Sequence, residues 1–148
     1  MDRNVISSHI VDAAMKVHSA LGCGLLESVY EVCLAYELTA RGLTVARQLA
    51  MPIRYEGVAL DSGYRLDLLV GASVVVEVKA VERMLPLYQA QLLTYLKLGG
   101  YSLGLLLNFN TIHLRDGIRR VVNSKAGIAD REKSASSSEG DVQHENPF

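Results

Sequence analysis

Glu77 and Lys79 stand two residues apart at the end of an otherwise apolar run, VVVEVK (74–79). A β-strand sends alternate side chains to opposite faces, so Val75, Glu77 and Lys79 would share one face and Val74, Val76 and Val78 the other. The preceding run, YRLDLLV (64–70), alternates likewise and puts Arg65, Asp67 and Leu69 together. A lone buried carboxylate is costly, and two close together cost more unless a cation compensates. Asp67 and Glu77, with waters and a backbone carbonyl, form a hard oxygen set suited to Mg²⁺ or Mn²⁺. Such an ion makes water nucleophilic at neutral pH and neutralises charge developing on a phosphate. Lys79 beside it could orient the water or stabilise the pentavalent phosphorus. The chemistry these residue types allow is hydrolysis of a phosphodiester.

That reading depends on register, because a slip of one residue sends every side chain to the other face. A tight turn at Gly71-Ala72 would set Asp67 across from Val76 and separate the two acids. A three-residue loop, Gly71-Ala72-Ser73, pairs Val70 with Val74 and Asp67 with Glu77. The site requires the longer loop, or a bulge to the same effect.

Further candidates lie on helices. Gln91 and Tyr95 are four residues apart, hence on one helical face, where an amide and a phenol could hold a phosphate or a water above the sheet. In GLLESVY (24–30), Glu27 falls in the first turn of a helix and could reach inward as another metal ligand. Taken singly, each residue has an ordinary structural use. Glu27 would complement a helix dipole, Asp67 could pair with Arg65 or cap a turn, and Glu77 and Lys79 could bridge on a sheet edge. Tyr30 and Tyr88 suit packing, and His18 suits a satisfied structural role. As an ordered set suited to one site, they are better explained by one cause.

The elements that must position these groups can be read from periodicity. Ile6, Ile10, Ala14, Val17 and Leu21 make one apolar helical stripe over 5–21, and a second helix is predicted from about Leu25 to Arg41, closed by Gly42. The period then turns toward two, with strands predicted near 44–55, 64–70 and 73–79. Pro86 suits the first turn of a helix to about Leu98, ended by Gly99-Gly100, before a buried strand at 101–108 and a strand or hairpin at 112–122. The order α-α-β-β-β-α-β-β predicts an α/β (α+β) sandwich with a mixed central sheet flanked by helices. Residues 1–123 are expected to form a single domain. Residues 124–148, rich in Ser and charge, are expected to be a disordered tail.

Composition sets the outer limits. With 148 residues, 49% of them hydrophobic, the chain can bury one sizeable core. No run approaches the ~20 apolar residues of a membrane span, and MDRNVISSHI lacks a secretory pattern. A cytoplasmic location without membrane attachment is expected. Cys23 and Cys33 have no ligand-like spacing and read as free thiols rather than a zinc site. Net charge is −1, but residues 1–123 hold 12 basic and 11 acidic side chains, so a metal-neutralised surface would be slightly basic. A domain this small would grip a duplex better as a homodimer or with a protein partner.

The segment Gly24-Leu-Leu-Glu27-Ser-Val-Tyr30 is similar to the signature of the GxxExxY protein family. The series Glu27, Asp67, Glu77-Val-Lys79, Gln91-x-x-x-Tyr95 resembles the PD-(D/E)XK nuclease superfamily, in its branch with a RecB-type QxxxY helix. The resemblance covers roughly residues 5–122. It implies a restriction-endonuclease-like core, Asp67 and Glu77 as metal ligands, Lys79 as the catalytic lysine, Glu27 as a helix carboxylate, and Gln91 and Tyr95 as accessory residues. Leu66 occupies the place of the proline before the aspartate in the superfamily's pattern, a proline often absent among relatives. The expected function is Mg²⁺- or Mn²⁺-dependent cleavage of DNA in preference to RNA. The alternative is a non-catalytic module of the same fold that binds nucleic acid or a protein partner.

Overall fold

In the computed structural model, which describes residues 1–61 and 63–126, two helices lead into the sheet. α1 (Arg3–Leu21) begins where the Asp2 carboxylate accepts the Asn4 N–H at 2.7 Å, satisfying one of the donors a helix start leaves unpaired. Its buried stripe is Ile6, Ile10, Ala13, Ala14 and Val17; Leu21, at the end of the expected stripe, is exposed. α2 (Glu27–Ala40) buries Tyr30, Leu34, Ala35 and Leu38 and is followed by Gly42 at φ +84°, a left-handed backbone that glycine adopts without strain.

The central sheet has five strands in the order β1 (Val45–Ala50), β4 (Arg65–Val70), β5 (Val74–Lys79), β6 (Leu103–Asn108), β7 (Ile118–Val122). Only β5 and β6 run parallel, joined through α3 (Pro86–Gly99); the other neighbours are antiparallel. The sheet is mixed, as expected, and helices cover both faces. α1 and α2 pack on Val70, Val74, Val76, Val78, Leu103, Leu105 and Leu107. α3 covers the opposite face through Leu92 and Leu96, against Leu69, Val75 and Leu106. Gly104 in β6 lets α3 approach closely there: a Cβ would lie 2.9 Å from a Leu92 methyl. No helix among the described residues is long and apolar enough to cross a membrane.

Two stretches depart from expectation. The β-rich segment 44–55 divides at Met51-Pro52, because proline brings no N–H to a ladder. Beyond it a separate two-stranded ribbon forms, β2 (Ile53–Tyr55) with β3 (Val58–Leu60), turned by Glu56 and Gly57, both at positive φ. The Met51 N–H donates to Tyr64 O at 2.9 Å and closes the ribbon's base. In 112–122, a 3-10 turn (Leu114–Gly117) precedes β7. The tail expectation for 124–148 falls, from residue 127 onward, outside the described residues. Cys23 is exposed and Cys33 half-buried; both are free.

The register on which the acids depend is the one the longer loop requires. Val70 pairs with Val74, Leu69 with Val75 and Leu68 with Val76, around Gly71-Ala72-Ser73. Pairing stops there, one residue before Asp67 and Glu77. On the other side of β4, Arg47 pairs with Leu68 and Leu49 with Leu66, while Gln48 and Asp67 between them do not pair.

Candidate active site

Central strands in a sheet covered on both faces are apolar on both faces. β6 is buried throughout and β5 is buried from Val74 to Val78. Glu77 is therefore an anomaly: a carboxylate only 8% exposed in the middle of the core sheet. Its surroundings explain how it is tolerated. Where the β4–β5 ladder ends, two reciprocal side-chain bonds continue it: the Asp67 N–H donates to Glu77 Oε1 at 3.3 Å, and the Val78 N–H donates to Asp67 Oδ2 at 2.8 Å. One oxygen of each acid is thus committed to the neighbouring strand's backbone. Asp67 Oδ1, which also receives the Gln48 amide at a long 3.4 Å, and Glu77 Oε2 remain for a cation or a shared proton.

The electrostatics agree. Burial pushes the Glu77 carboxyl up to about 9, with the charge of Asp67 adding to the rise and Lys79 opposing it. Asp67 is also raised, first by burial and further by the charge of Glu31, against the lowering effect of the Val78 and Gln48 hydrogen bonds. Two acids that resist ionising together, with hard oxygens free, fit a divalent cation. Among the described residues, no three His, Cys, Asp or Glu side chains converge to hold an ion by themselves. The protein would therefore supply Asp67 and Glu77, with water and backbone oxygen completing the shell.

Lys79 follows on β5, half-buried, with Nζ 4.6 Å from the centroid of the Tyr88 ring on α3. β5 is a central strand, so Glu77 and Lys79 are not an edge pair. Tyr95, also on α3, is half-buried; its phenol is held protonated by burial and then by the charges of Glu77, Tyr64 and Asp67. It can donate a hydrogen bond beside the acids. Tyr64 leans on it at 5.7 Å between ring centroids. Gln91, one turn before Tyr95, is exposed.

Glu27 is exposed at the start of α2 and accepts the Ala80 N–H at 3.3 Å, just past Lys79. It reaches the end of β5 without joining the Asp67–Glu77 pair. Tyr30 stays in the core: its hydroxyl donates to Gly22 O at 2.6 Å and accepts the Leu25 N–H at 3.1 Å, and its ring stacks on Phe109 at 4.6 Å. It thereby fixes the loop from which α2 and Glu27 start. His18 is satisfied structurally, its Nε2 2.7 Å from Thr111 O.

Three residues beside the site escaped sequence reasoning. Glu31, 5% exposed, lies one helical turn after Glu27, a spacing that could have revealed it. It pairs with Arg47 at 2.8 Å and accepts from Gln48 Nε2 at 2.6 Å. Gln48 carried no signal of its own. Asn108, opposite Lys79 in the parallel register, is buried and clamps the chain as it leaves β5. Its Oδ1 accepts the N–H groups of Val81 and Asn110, both at 3.1 Å, and its Nδ2 donates to Val81 O at 3.0 Å. Asn108→Ala would orphan all three, so a loss of about 2–3 kcal/mol is expected in urea unfolding, with slower cleavage as the chain after Lys79 loosens. Asn108→Asp keeps the acceptor but sets a second carboxylate oxygen against Val81 O in a buried position, so it should destabilise as well. Equal stability of the Ala variant and the wild type would remove the clamp.

Compared with known proteins, the chain matches a family model described as the PD-(D/E)XK nuclease superfamily over residues 4–121. Among solved structures, an alkaline exonuclease from Laribacter hongkongensis is similar at 15% identity and a TM-score of 0.39, over 92% of this chain and 90% of that one. No curated protein matches.

Proposed function

Because the chain belongs to the PD-(D/E)XK nuclease superfamily, we propose that it hydrolyses phosphodiester bonds in DNA with a Mg²⁺ or Mn²⁺ ion held by Asp67 and Glu77. The observation that carries this reading is the pair of bonds at the end of the β4–β5 ladder, where Glu77 accepts the Asp67 N–H and Asp67 accepts the Val78 N–H, with Lys79 two residues beyond Glu77 on β5. When bound, the ion would supply Lewis-acid activation of water and neutralise charge on the phosphate. Asp67 and Glu77 would hold the ion, Glu77 as its ionised carboxylate. The Lys79 ammonium binds a non-bridging phosphate oxygen and orients the attacking water. The Tyr95 phenol donates to the same phosphate, and Gln91, at the outer end of that helical face, holds the nucleic-acid backbone.

Glu27 serves as an outer carboxylate, anchored at Ala80 just beyond Lys79. The GLLESVY segment and the Gln91–Tyr95 helix support placing the chain in the GxxExxY family and the RecB-type QxxxY branch.

The experiment is cleavage of end-labelled duplex DNA, single-stranded DNA and RNA with Mg²⁺, Mn²⁺ or EDTA. DNA cutting that needs the ion and is lost in Asp67→Ala is expected. Cutting in EDTA, or by Asp67→Ala, would refute the assignment. DNA that is bound and never cut would make this a binding module of nuclease fold.

A further inference from the structure

Gln48 lies in the middle of β1 yet has φ +51°, a left-handed backbone that side-chain-bearing residues adopt only at a cost. Strain of this kind persists where surrounding structure enforces it, and it gathers at functional sites. Its effects cross two strands. Arg47 and Gln48 are consecutive and should point to opposite faces, yet both donate to Glu31: Arg47 NH2 to Oε2 at 2.8 Å and Gln48 Nε2 to Oε1 at 2.6 Å. On the facing strand, Leu66 and Leu68 should share a face. Leu68 instead joins the core beneath α1 and α2, while Leu66 joins the cluster beneath α3. The residue between them is Asp67, which lies opposite Gln48 where both drop out of the ladder.

The same Gln48 Nε2 lies 3.4 Å from Asp67 Oδ1, the oxygen not committed to the Val78 N–H. A chain of contacts therefore runs Arg47–Glu31–Gln48–Asp67. Its inner acceptor is a buried carboxylate, and its last donor addresses the oxygen left to a cation.

We infer that Gln48 is a positioning residue: anchored on Glu31 by its amide, and free to be so only through its left-handed backbone, it aims Asp67 Oδ1 at the ion. This rests on the proposed metal site. It goes beyond that site by assigning a role to a side chain that binds neither ion nor substrate. Hydrogen bonds that orient ligands from outside the coordination shell typically set metal affinity by about 10- to 100-fold.

The test uses Gln48→Gly, which takes the left-handed backbone without strain and removes the side chain with its amide. Gln48→Asn is the second variant; it tolerates the same backbone but its shorter arm cannot span both acids. Mn²⁺ binding is followed on the protein alone by the loss of free-ion electron paramagnetic resonance, and folding by circular dichroism. Both variants are expected to fold and to bind Mn²⁺ about 10- to 100-fold more weakly. Their kcat should be lower at limiting Mn²⁺ and recover at high Mn²⁺, with KM for DNA unchanged. A merely structural role would not produce that ion-dependent recovery. Folded variants that bind Mn²⁺ as wild type does would overturn the positioning role and leave the nuclease reading intact. A wild type that binds no Mn²⁺ would end both.

Discussion

Lys79→Ala is expected to lower kcat for DNA cleavage by about 10²- to 10³-fold while leaving the protein folded, since removing one preorganised charge stabiliser typically costs that much. The side chain lies outside both hydrophobic clusters and is half-buried at the end of β5. Its contact over the Tyr88 ring, 4.6 Å from the centroid, contributes only about 0.5–1 kcal/mol at such sites. Stability should therefore fall little, and Mn²⁺ should raise the melting midpoint of the variant as it is expected to raise that of wild type, because Asp67 and Glu77 remain. Lys79→Arg should rescue poorly: the guanidinium is planar and delocalised where a compact ammonium fits, and its longer arm displaces the charge from the phosphate. Single-turnover cleavage at saturating Mn²⁺ decides the matter, and a loss below tenfold would take Lys79 out of the chemistry.

The second large effect concerns Glu77 and pH. Its carboxyl is raised from an ordinary 4.5 to about 9 in the folded, ion-free protein, chiefly by burial. A folded-state value above the unfolded one means the native state holds a proton the unfolded chain has lost. The resulting stability is fully present below pH 4.5 and is lost as pH rises toward about 9. Within that window, the ion-free protein should lose at most about 1.4 kcal/mol per pH unit from this group. Glu77→Gln, which cannot ionise, should show a flatter profile and exceed wild type in alkaline EDTA buffer. A divalent ion competes with that proton, so the apparent Mn²⁺ affinity of wild type should tighten by up to tenfold per pH unit across the same range. Thermal melts at graded pH, with Mn²⁺ or EDTA, measure both. Parallel profiles for wild type and Glu77→Gln would show that the acid does not carry its proton into the fold.

The Asp67–Glu77–Lys79 arrangement was largely legible because its background is so uniform. A strand buried on both faces tolerates few polar groups, and alternation alone puts Glu77 and Lys79 on one side. Periodicity also found the helices, although tertiary contact trimmed the first stripe at Leu21 and the proline at Pro52 split the first strand. Glu31 was recoverable in principle, one helical turn from Glu27. Gln48 was not.

What the amino-acid sequence determined by itself is therefore the order of elements, the apolar faces that make a mixed sheet between helices, and which side of β5 carries the charged pair. These follow from local periodicity and from the cost of burying polar groups. Tertiary structure decided whether the acids meet, since the three-residue loop at 71–73 set the register and the ladder had to end at Leu68 for Glu77 to take the Asp67 N–H and Asp67 the Val78 N–H. It also decided that Glu27 stops at Ala80 and that a strained Gln48 faces Asp67. Such features depend on partners distant in the chain, and one residue's propensity holds no information about which partner the fold will bring.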